Sequence, residues 1–235
     1  MRALLLSAGL GTRLRPLTER VPKCLVPIHG VPLLDYWFAL LLRGHIERIL
    51  VNTGYLADQV RAHMADSRWR DQVELVHEDC LLGTGGTVLA NRSFFGGEAF
   101  LVGHGDNLTR FDVAGFIARH RARPAGCEIT MMTFDTDQPR SCGIVEQDHR
   151  GVVVAFHEKV ENPPGHRANA AVYIFQPSVL EFLSRLGKTS IDLSTEVLPA
   201  FLGRICTFHN GDYHRDIGTM ESLRLAELEF GGAGS

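Results

Sequence analysis

Apolar and polar positions follow two regimes along this chain. Up to about residue 125, short apolar runs alternate with stretches of helical period. The first run, "RALLLS" over residues 2–7, stops at a glycine-rich segment and reads as a buried strand. "PLLDYWFALLLR" at 32–43 has helical spacing, with Pro32 near its first turn. "RILVNT" from Arg48 predicts a strand, "LADQVRAHM" from Leu56 a helix, and "VELVHE" from Val73 a strand. "LLGTGGT" then reads as a glycine-rich turn leading to a helix over "TVLANR". "AFLVGHGDN" from Ala99 predicts a strand ending in a polar turn, and "DVAGFIARHR" from Asp112 a helix. This alternation implies an α/β fold: a Rossmann-like, mostly parallel (mixed) central sheet flanked by helices.

Beyond residue 125 the period changes. "CEITMMTF", "CGIVEQ", "GVVVAFHEK" and "NAAVYIF" read as strands, with a hairpin turn at "QDHRGV". "SVLEFLSRL" and "STEVLPAFL" read as helices, the second capped by Ser194. "RICTFH" predicts a late strand, "YHRDIGT" a turn and "MESLRLAELEF" a terminal helix. One domain over residues 1–230 is expected, with 1–125 and 126–230 as its halves and 231–235 as a disordered tail. The β-rich second half reads as an elaboration that completes a pocket.

Composition narrows the function classes. A net charge of −3 argues against a nucleic-acid binder, which would carry a basic stripe. The five cysteines are widely spaced and form no C-x-x-C pair, so neither a disulfide framework nor a structural zinc site is expected. They suit reduced thiols in a cytoplasmic protein. "MRALLLSAG" mimics a signal peptide, but its apolar run is too short, and no later run is long enough to span a membrane.

Three glycine-containing segments carry the candidate chemistry. In the first, Gly9 and Gly11 follow the opening strand, but Leu14 stands where a dinucleotide fingerprint needs a third glycine. The second strand ends in Asn52-Thr53 rather than the acid that would hold a ribose. A Walker loop fails too, since the only "GKT", at Gly187, has Phe182 in place of the upstream glycine. What remains is a backbone nest for an anion, with Arg13 as a forked cation and Lys23 as a second one. In the second segment, Gly83 and Thr84 lie just past a strand, where a flat base can approach the backbone, and Glu78 can accept hydrogen bonds from base edges. In the third, Asp106 of "GHGDN" ends a strand and suits Mg²⁺, which favours a few carboxylates with phosphate oxygens and water. His104 with Asp106 makes a poor transition-metal pair, lacking a third ligand nearby. Each segment taken alone also fits an ordinary turn or helix start.

Together, "SAGLGTRLRPLT", "PKCLVPI", "LLGTGG", "GDN", "FHEKV", "NAAVYIF" and "RDIGT" resemble, in order, the sugar-1-phosphate nucleotidylyltransferases. The likeness is greatest to short members acting on mannose- or heptose-type sugar 1-phosphates for cell-surface polysaccharides. It implies the nucleotide-diphospho-sugar transferase fold, with 1–125 binding nucleotide and 126–230 the sugar phosphate. It implies transfer of a nucleotidyl group from a nucleoside triphosphate to a sugar 1-phosphate, releasing pyrophosphate, with Mg²⁺ as cofactor. Ala8, Gly9, Gly11, Thr12 and Arg13 would line the triphosphate, and Lys23 would hold phosphate. Glu78, Gly83 and Thr84 would face the base, and Asp106 and Asp216 would hold the metal. Gly143, Glu158, Lys159 and Asn169 would serve the sugar phosphate. Arg13, Lys23, Asp106 and Lys159 would form the catalytic set. The implied partners are the two substrates, with no nucleic acid and no membrane; a homodimer stays open.

The chain departs from that pattern at Ser7, at Val160 after Glu158-Lys159, at Ala171 where glycine is usual, and at Cys142 before Gly143. These departures bear on the sugar more than on the reaction. Glu78 favours guanine, whose ring N–H and exocyclic amine are adjacent donors, over uracil or thymine. Uridylyl, thymidylyl or cytidylyl transfer remains an alternative. So do a glycosyltransferase of similar architecture and a non-catalytic nucleotide-sugar sensor.

Overall fold

The computed structural model describes residues 1–231. The expected tail falls, from residue 232 on, outside the described residues. In chain order the elements are β1 (Arg2–Leu6), β2 (Pro27–Ile28), β3 (Val31–Pro32), α1 (Leu33–Arg43), β4 (Arg48–Thr53), α2 (Ala57–Ala65) and β5 (Val73–His77). They continue with α3 (Gly83–Ala90), β6 (Phe100–His104), β7 (Asn107–Arg110), α4 (Val113–Arg121), β8 (Ile129–Asp135), β9 (Gly143–Gln147) and β10 (Val153–Glu158). The last are β11 (Arg167–Phe175), α5 (Pro177–Arg185), β12 (Ile205–His209), β13 (Tyr213–Asp216) and α6 (Met220–Glu229). The chain divides into two compact units.

The first unit takes in Arg2–Leu81, His104–Phe111 and the chain from Asp212 onward. Here β1 pairs in parallel with β4, and β4 with β5, so Leu6 lies opposite Asn52 and Thr53 opposite His77. The ends of these strands deliver the candidate loops to one edge, as parallel strands must. A separate antiparallel ladder joins β7 to β13, with Asn107 opposite Asp216. It rests on a core of Leu14, Val26, Leu33, Leu108, Ile217 and Phe230, among others. Buried Trp37 of α1 donates its indole N–H to Asn107 O at 2.8 Å, which fixes the start of β7. The expected turn at "YHRDIGT" is therefore half strand. Its polar residues concealed a pairing partner more than a hundred positions away.

The second unit takes in Leu82–Gly103 and Asp112–Gly211. Strand β11 is antiparallel to β6, β8 and β9, β9 forms a hairpin with β10, and β12 runs parallel to β8. The sheet core is aromatic: Phe95 stacks on Phe100 at 3.8 Å, and Phe100 meets Phe175 edge-on. Two local expectations change here. "LLGTGGT" is the start of α3 rather than a turn before it, because its glycines pack against the backbone of Thr189 and Ile191. "STEVLPAFL" is one π-helical turn, Leu193–Val197, followed by a short 3-10 turn, Leu198–Phe201. Pro199 has no N–H to sustain a regular helix. The cap is Asp192, accepting from Thr195 N, rather than Ser194.

A buried polar chain runs beneath α4. His120 Nδ1 lies 2.7 Å from Thr130 Oγ1, its Nε2 lies 2.6 Å from Gln176 Nε2, and Thr130 Oγ1 lies 3.2 Å from Cys206 Sγ. Burial, with Arg123 adding repulsion, lowers the His120 pKa to about 4. The folded protein thus resists a proton that the unfolded chain accepts near the ordinary histidine value of about 6.5. Stability from this residue is complete above about pH 6.5 and is lost as pH falls towards 4, by roughly 3 kcal/mol in all. Urea unfolding across pH 4–7 should show a shallower acid loss in His120→Gln than in the wild type. Parallel pH curves would remove His120 from the acid response.

Candidate active site

The loop after β1 is shaped by a few local facts. Gly11 adopts a left-handed conformation, φ 60°, and opens a 3-10 turn at Thr12–Leu14. Thr18 Oγ1 donates to Gly11 O at 2.8 Å. A Cβ on Gly11 would meet Thr18 Cγ2 at 2.9 Å and Lys23 Cβ at 3.1 Å, so both backbone and space require glycine. A Cβ on Gly9 would meet nothing within 4 Å, which marks open space at the loop. Leu14 explains the missing third glycine: it is fully buried and anchors the loop in the core. A cavity of about 230 Å³ lies here, lined by Leu6, Ser7, Gly9, Gly11, Thr12, Arg13, Lys23, Asp106 and Gly218. Ala8, between Ser7 and Gly9 in the chain, is buried and does not line it.

Charge converges on this cavity. Lys23 is 7% exposed, and its Nζ lies 2.6 Å from Asp106 Oδ2 and 3.1 Å from Asp216 Oδ1. Arg13 Nη2 reaches Asp216 Oδ2 at 3.3 Å from a more exposed position. A Cβ on Gly218 would fall 2.7 Å from Asp216 Oδ2 and 2.9 Å from Arg13 Nη2, so this glycine makes room for their approach. Burial alone would lower the Lys23 pKa, but Asp106 and Asp216 outweigh it and raise it. Burial would raise the Asp106 carboxyl, but Lys23 and His104 hold it below the ordinary value. His214 is driven down to about 4 by burial, against the attraction of Asp216. The result is two carboxylates meeting at one cation, with a second cation at a more exposed position. Asp216 does not cap α6; Thr219 does, in a capping box with Ser222.

Glu78 sits in the same unit, 9% exposed, just past β5. Its Oε1 accepts from Asn52 Nδ2 at 3.0 Å, and Asn52 Oδ1 accepts from Ser7 N at 2.6 Å. Gly105 is small for a reason at this edge, since a Cβ there would lie 2.3 Å from Ser7 Oγ.

The remaining candidates belong to the second unit. Gly83, at φ +73°, and Thr84 open α3; a Cβ on Gly83 would strike Ile191 O at 2.5 Å. Thr84 Oγ1 accepts from Leu193 N at 2.8 Å and lies 3.5 Å from Asp192 Oδ2. Gly143 is opposite Glu158 across β9 and β10, and a Cβ on it would fall 2.6 Å from Glu158 Oε2. Lys159 Nζ is 3.3 Å from Glu158 Oε1 and largely exposed. Asn169 Nδ2 donates to buried Tyr173 Oη at 2.7 Å, and its Oδ1 accepts from Ala171 N. Lys159 and Ala171 both adopt left-handed backbone, φ 50° and 53°, in a region side chains other than glycine seldom occupy. Such strain concentrates at functional sites. Ala171→Gly should relieve it and stabilise the protein by about 1 kcal/mol, raising the melting temperature by roughly 2–4 °C. A lower melting temperature would contradict this reading of the backbone.

Sequence reasoning passed over Asn52, Tyr173 and Gly218 as functional supports. Asn52 was visible only as the non-acidic end of a strand, and Tyr173 only as an apolar position. Gly218 lay inside a recognised motif without a reason for being small.

Comparison with known proteins assigns the family. The nucleotidyl transferase family model matches residues 2–230. The chain is 34% identical over 226 residues to a mannose-1-phosphate guanylyltransferase of Mycobacterium tuberculosis, covering 94% of this chain and 62% of that protein. It is 30% identical to a UTP–glucose-1-phosphate uridylyltransferase of Synechocystis, covering 78% of this chain and 51% of that protein. The structure of HddC from Yersinia pseudotuberculosis complexed with GMP-PN matches with a TM-score of 0.82 and 26% identity, over 97% of this chain and 99% of that one. The chain belongs to the nucleotidyl transferase family. It spans between half and two thirds of the length of these two curated relatives. The mixed sheet with flanking helices is the fold of its structural neighbours. Among the described residues, no helix is long and apolar enough to cross a membrane.

Proposed function

We propose that residues 1–230 form one catalytic domain that transfers a guanylyl group from GTP to a mannose- or heptose-type sugar 1-phosphate. The products are a GDP-sugar and pyrophosphate, made in the cytoplasm for cell-surface polysaccharide synthesis. The observation that carries this reading is the meeting of Lys23, Arg13, Asp106 and Asp216 beside the open Gly9–Gly11 loop. The guanylyltransferase relative and the neighbour bound to GMP-PN support the base, as does the carboxylate of Glu78.

The chemistry suits these residues. The acceptor's phosphate oxygen is already an anion and forms a bond to the α-phosphorus. The bond from that phosphorus to the bridging oxygen breaks, and its electrons leave with pyrophosphate. No strong base is required, so positioning and charge supply most of the rate. In this reading Ala8, Gly9, Gly11 and Thr12 present backbone to the phosphates. Arg13 and Lys23 offset their charge. Lys159 and Asn169 hold the acceptor phosphate, while Glu158 and Gly143 meet the sugar. Gly83 and Thr84 lie along the base. Asp106 and Asp216 would hold Mg²⁺, and their convergence on one ammonium fits an ion that takes few carboxylates. Bound there, the metal would neutralise and orient phosphate oxygens.

Pyrophosphate release from a panel of triphosphates and sugar 1-phosphates, with and without Mg²⁺, tests the proposal. Release is expected with GTP and a mannose-type acceptor, and only with Mg²⁺; no release from any pair would overturn it. Glu78→Gln should lower kcat/KM for GTP at least about tenfold relative to UTP, the scale of one lost charge-assisted hydrogen bond. An unchanged ratio would remove Glu78 from base selection.

A further inference from the structure

Asn52 has no place in the reaction described above, yet it ties two of its parts together. It lies near the end of β4, the middle strand of the parallel set, and is 3% exposed. Its side chain works in two directions: Oδ1 accepts the Ser7 N–H at 2.6 Å, and Nδ2 donates to Glu78 Oε1 at 3.0 Å. Ser7 is the first residue after β1 and lines the cavity beside the Gly9–Gly11 loop, while Glu78 follows β5 on the other side of β4. An uncharged amide supplies an acceptor and a donor at a short, fixed separation. Glu78 N also donates to Thr53 O at 2.8 Å, so backbone and carboxylate are both held from β4.

A carboxylate that reads two adjacent donors must present its plane edge-on to the base. Left alone, its terminal torsion is broad. The bond from Asn52 restricts that torsion, and the bond to Ser7 sets the carboxylate in register with the phosphate loop. We propose that Asn52 is a positioning residue for base selection, orienting Glu78 towards guanine and coupling that reader to the triphosphate site. This rests on the reading of Glu78 as the guanine acceptor.

Calorimetric titration with two probes separates the parts: GTP, which engages base and phosphates, and inorganic tripolyphosphate, which engages phosphates alone. Asn52→Asp keeps an acceptor for Ser7 but turns the donor facing Glu78 into a repelling oxygen. It should weaken GTP about tenfold and change tripolyphosphate by less than about threefold, the loss of one buried hydrogen bond acting on the base alone. Asn52→Leu removes both arms and should weaken both probes. Asn52→Asp that spares GTP, or that weakens both probes equally, would overturn the positioning role. Glu78→Gln, run beside it, should weaken GTP alone. If Glu78→Gln weakens GTP and Asn52→Asp does not, the positioning role falls and the reading of Glu78 stands. If Glu78→Gln leaves GTP binding intact, the reading of Glu78 falls with everything built on it.

Discussion

Lys23→Met is expected to lower pyrophosphate release from GTP and sugar 1-phosphate by about 100- to 1,000-fold, the usual cost of removing one preorganised electrostatic stabiliser. The variant keeps an unbranched side chain, one atom shorter, and removes the ammonium with both its charge and its hydrogen bonds. Lys23 Nζ sits between Asp106 and Asp216, at 2.6 and 3.1 Å. Without it the two carboxylates face each other with Arg13 beside Asp216 and His104 near Asp106 to offset them, and Asp106 loses the main attraction that holds its pKa down. In the proposed reaction two effects would then act together: the triphosphate would lose a buried cation, and the site would become more negative towards a polyanion. Stability should fall by less than the several kcal/mol of a broken buried pair, because the Asp106 and Asp216 side chains are 35% and 51% exposed. Lys23→Arg should retain more activity than Lys23→Met, since charge survives while fit does not. Steady-state pyrophosphate assays beside thermal melts check both points. Near-normal turnover of Lys23→Met would remove this lysine from the mechanism.

Gly86→Ala should be the most damaging of the small core changes. A Cβ at this position would fall 2.2 Å from Thr189 O and 3.1 Å from Leu82 Cβ. The first contact is with backbone, so no rotamer change relieves it. Alanine would favour α3 by about 1 kcal/mol through helix propensity. The clash, at about 3 kcal/mol or more, outweighs that gain. A net loss of about 2–3 kcal/mol corresponds to a fall in melting temperature of roughly 5–10 °C for a chain of this size. Gly9→Ala is the control: its Cβ would meet nothing within 4 Å, so stability should hold. Its effect, if Gly9 lines the triphosphate, belongs to activity alone. Equal melting temperatures for Gly86→Ala and the wild type would contradict the packing described for α3.

These two glycines show where the sequence was legible and where it was not. Gly9, Gly11, Arg13 and Lys23 lie within fifteen residues, so the loop that holds them could be read from local chemistry. Asp106 could be read because it follows an apolar strand. Asp216 could be named only through the resemblance that "RDIGT" carries; its position rests on the pairing of β7 with β13, which places it opposite Asn107, and nothing local in "YHRDIGT" specifies that register. Only the first turn of the helix at Gly83–Ala90 was hidden, because glycine disfavours helix locally, and the reason it forms lies in the distant segment Thr189–Ile191. "STEVLPAFL" misled in the opposite direction. Its apolar period suits a helix, but Pro199 and the Asp192 cap divide it into two tight turns. Asn52 was seen and set aside, because its value lies in what it joins rather than in a motif.

Phosphorus NMR of a mixture of GTP, mannose 1-phosphate, Mg²⁺ and the protein reports directly which bond forms. The expected result is a new pair of diphosphate resonances from a GDP-sugar, growing in step with pyrophosphate and reversed when pyrophosphate is added to the product. Release of GDP and inorganic phosphate, or an unchanged spectrum with every sugar 1-phosphate and triphosphate supplied, would contradict it.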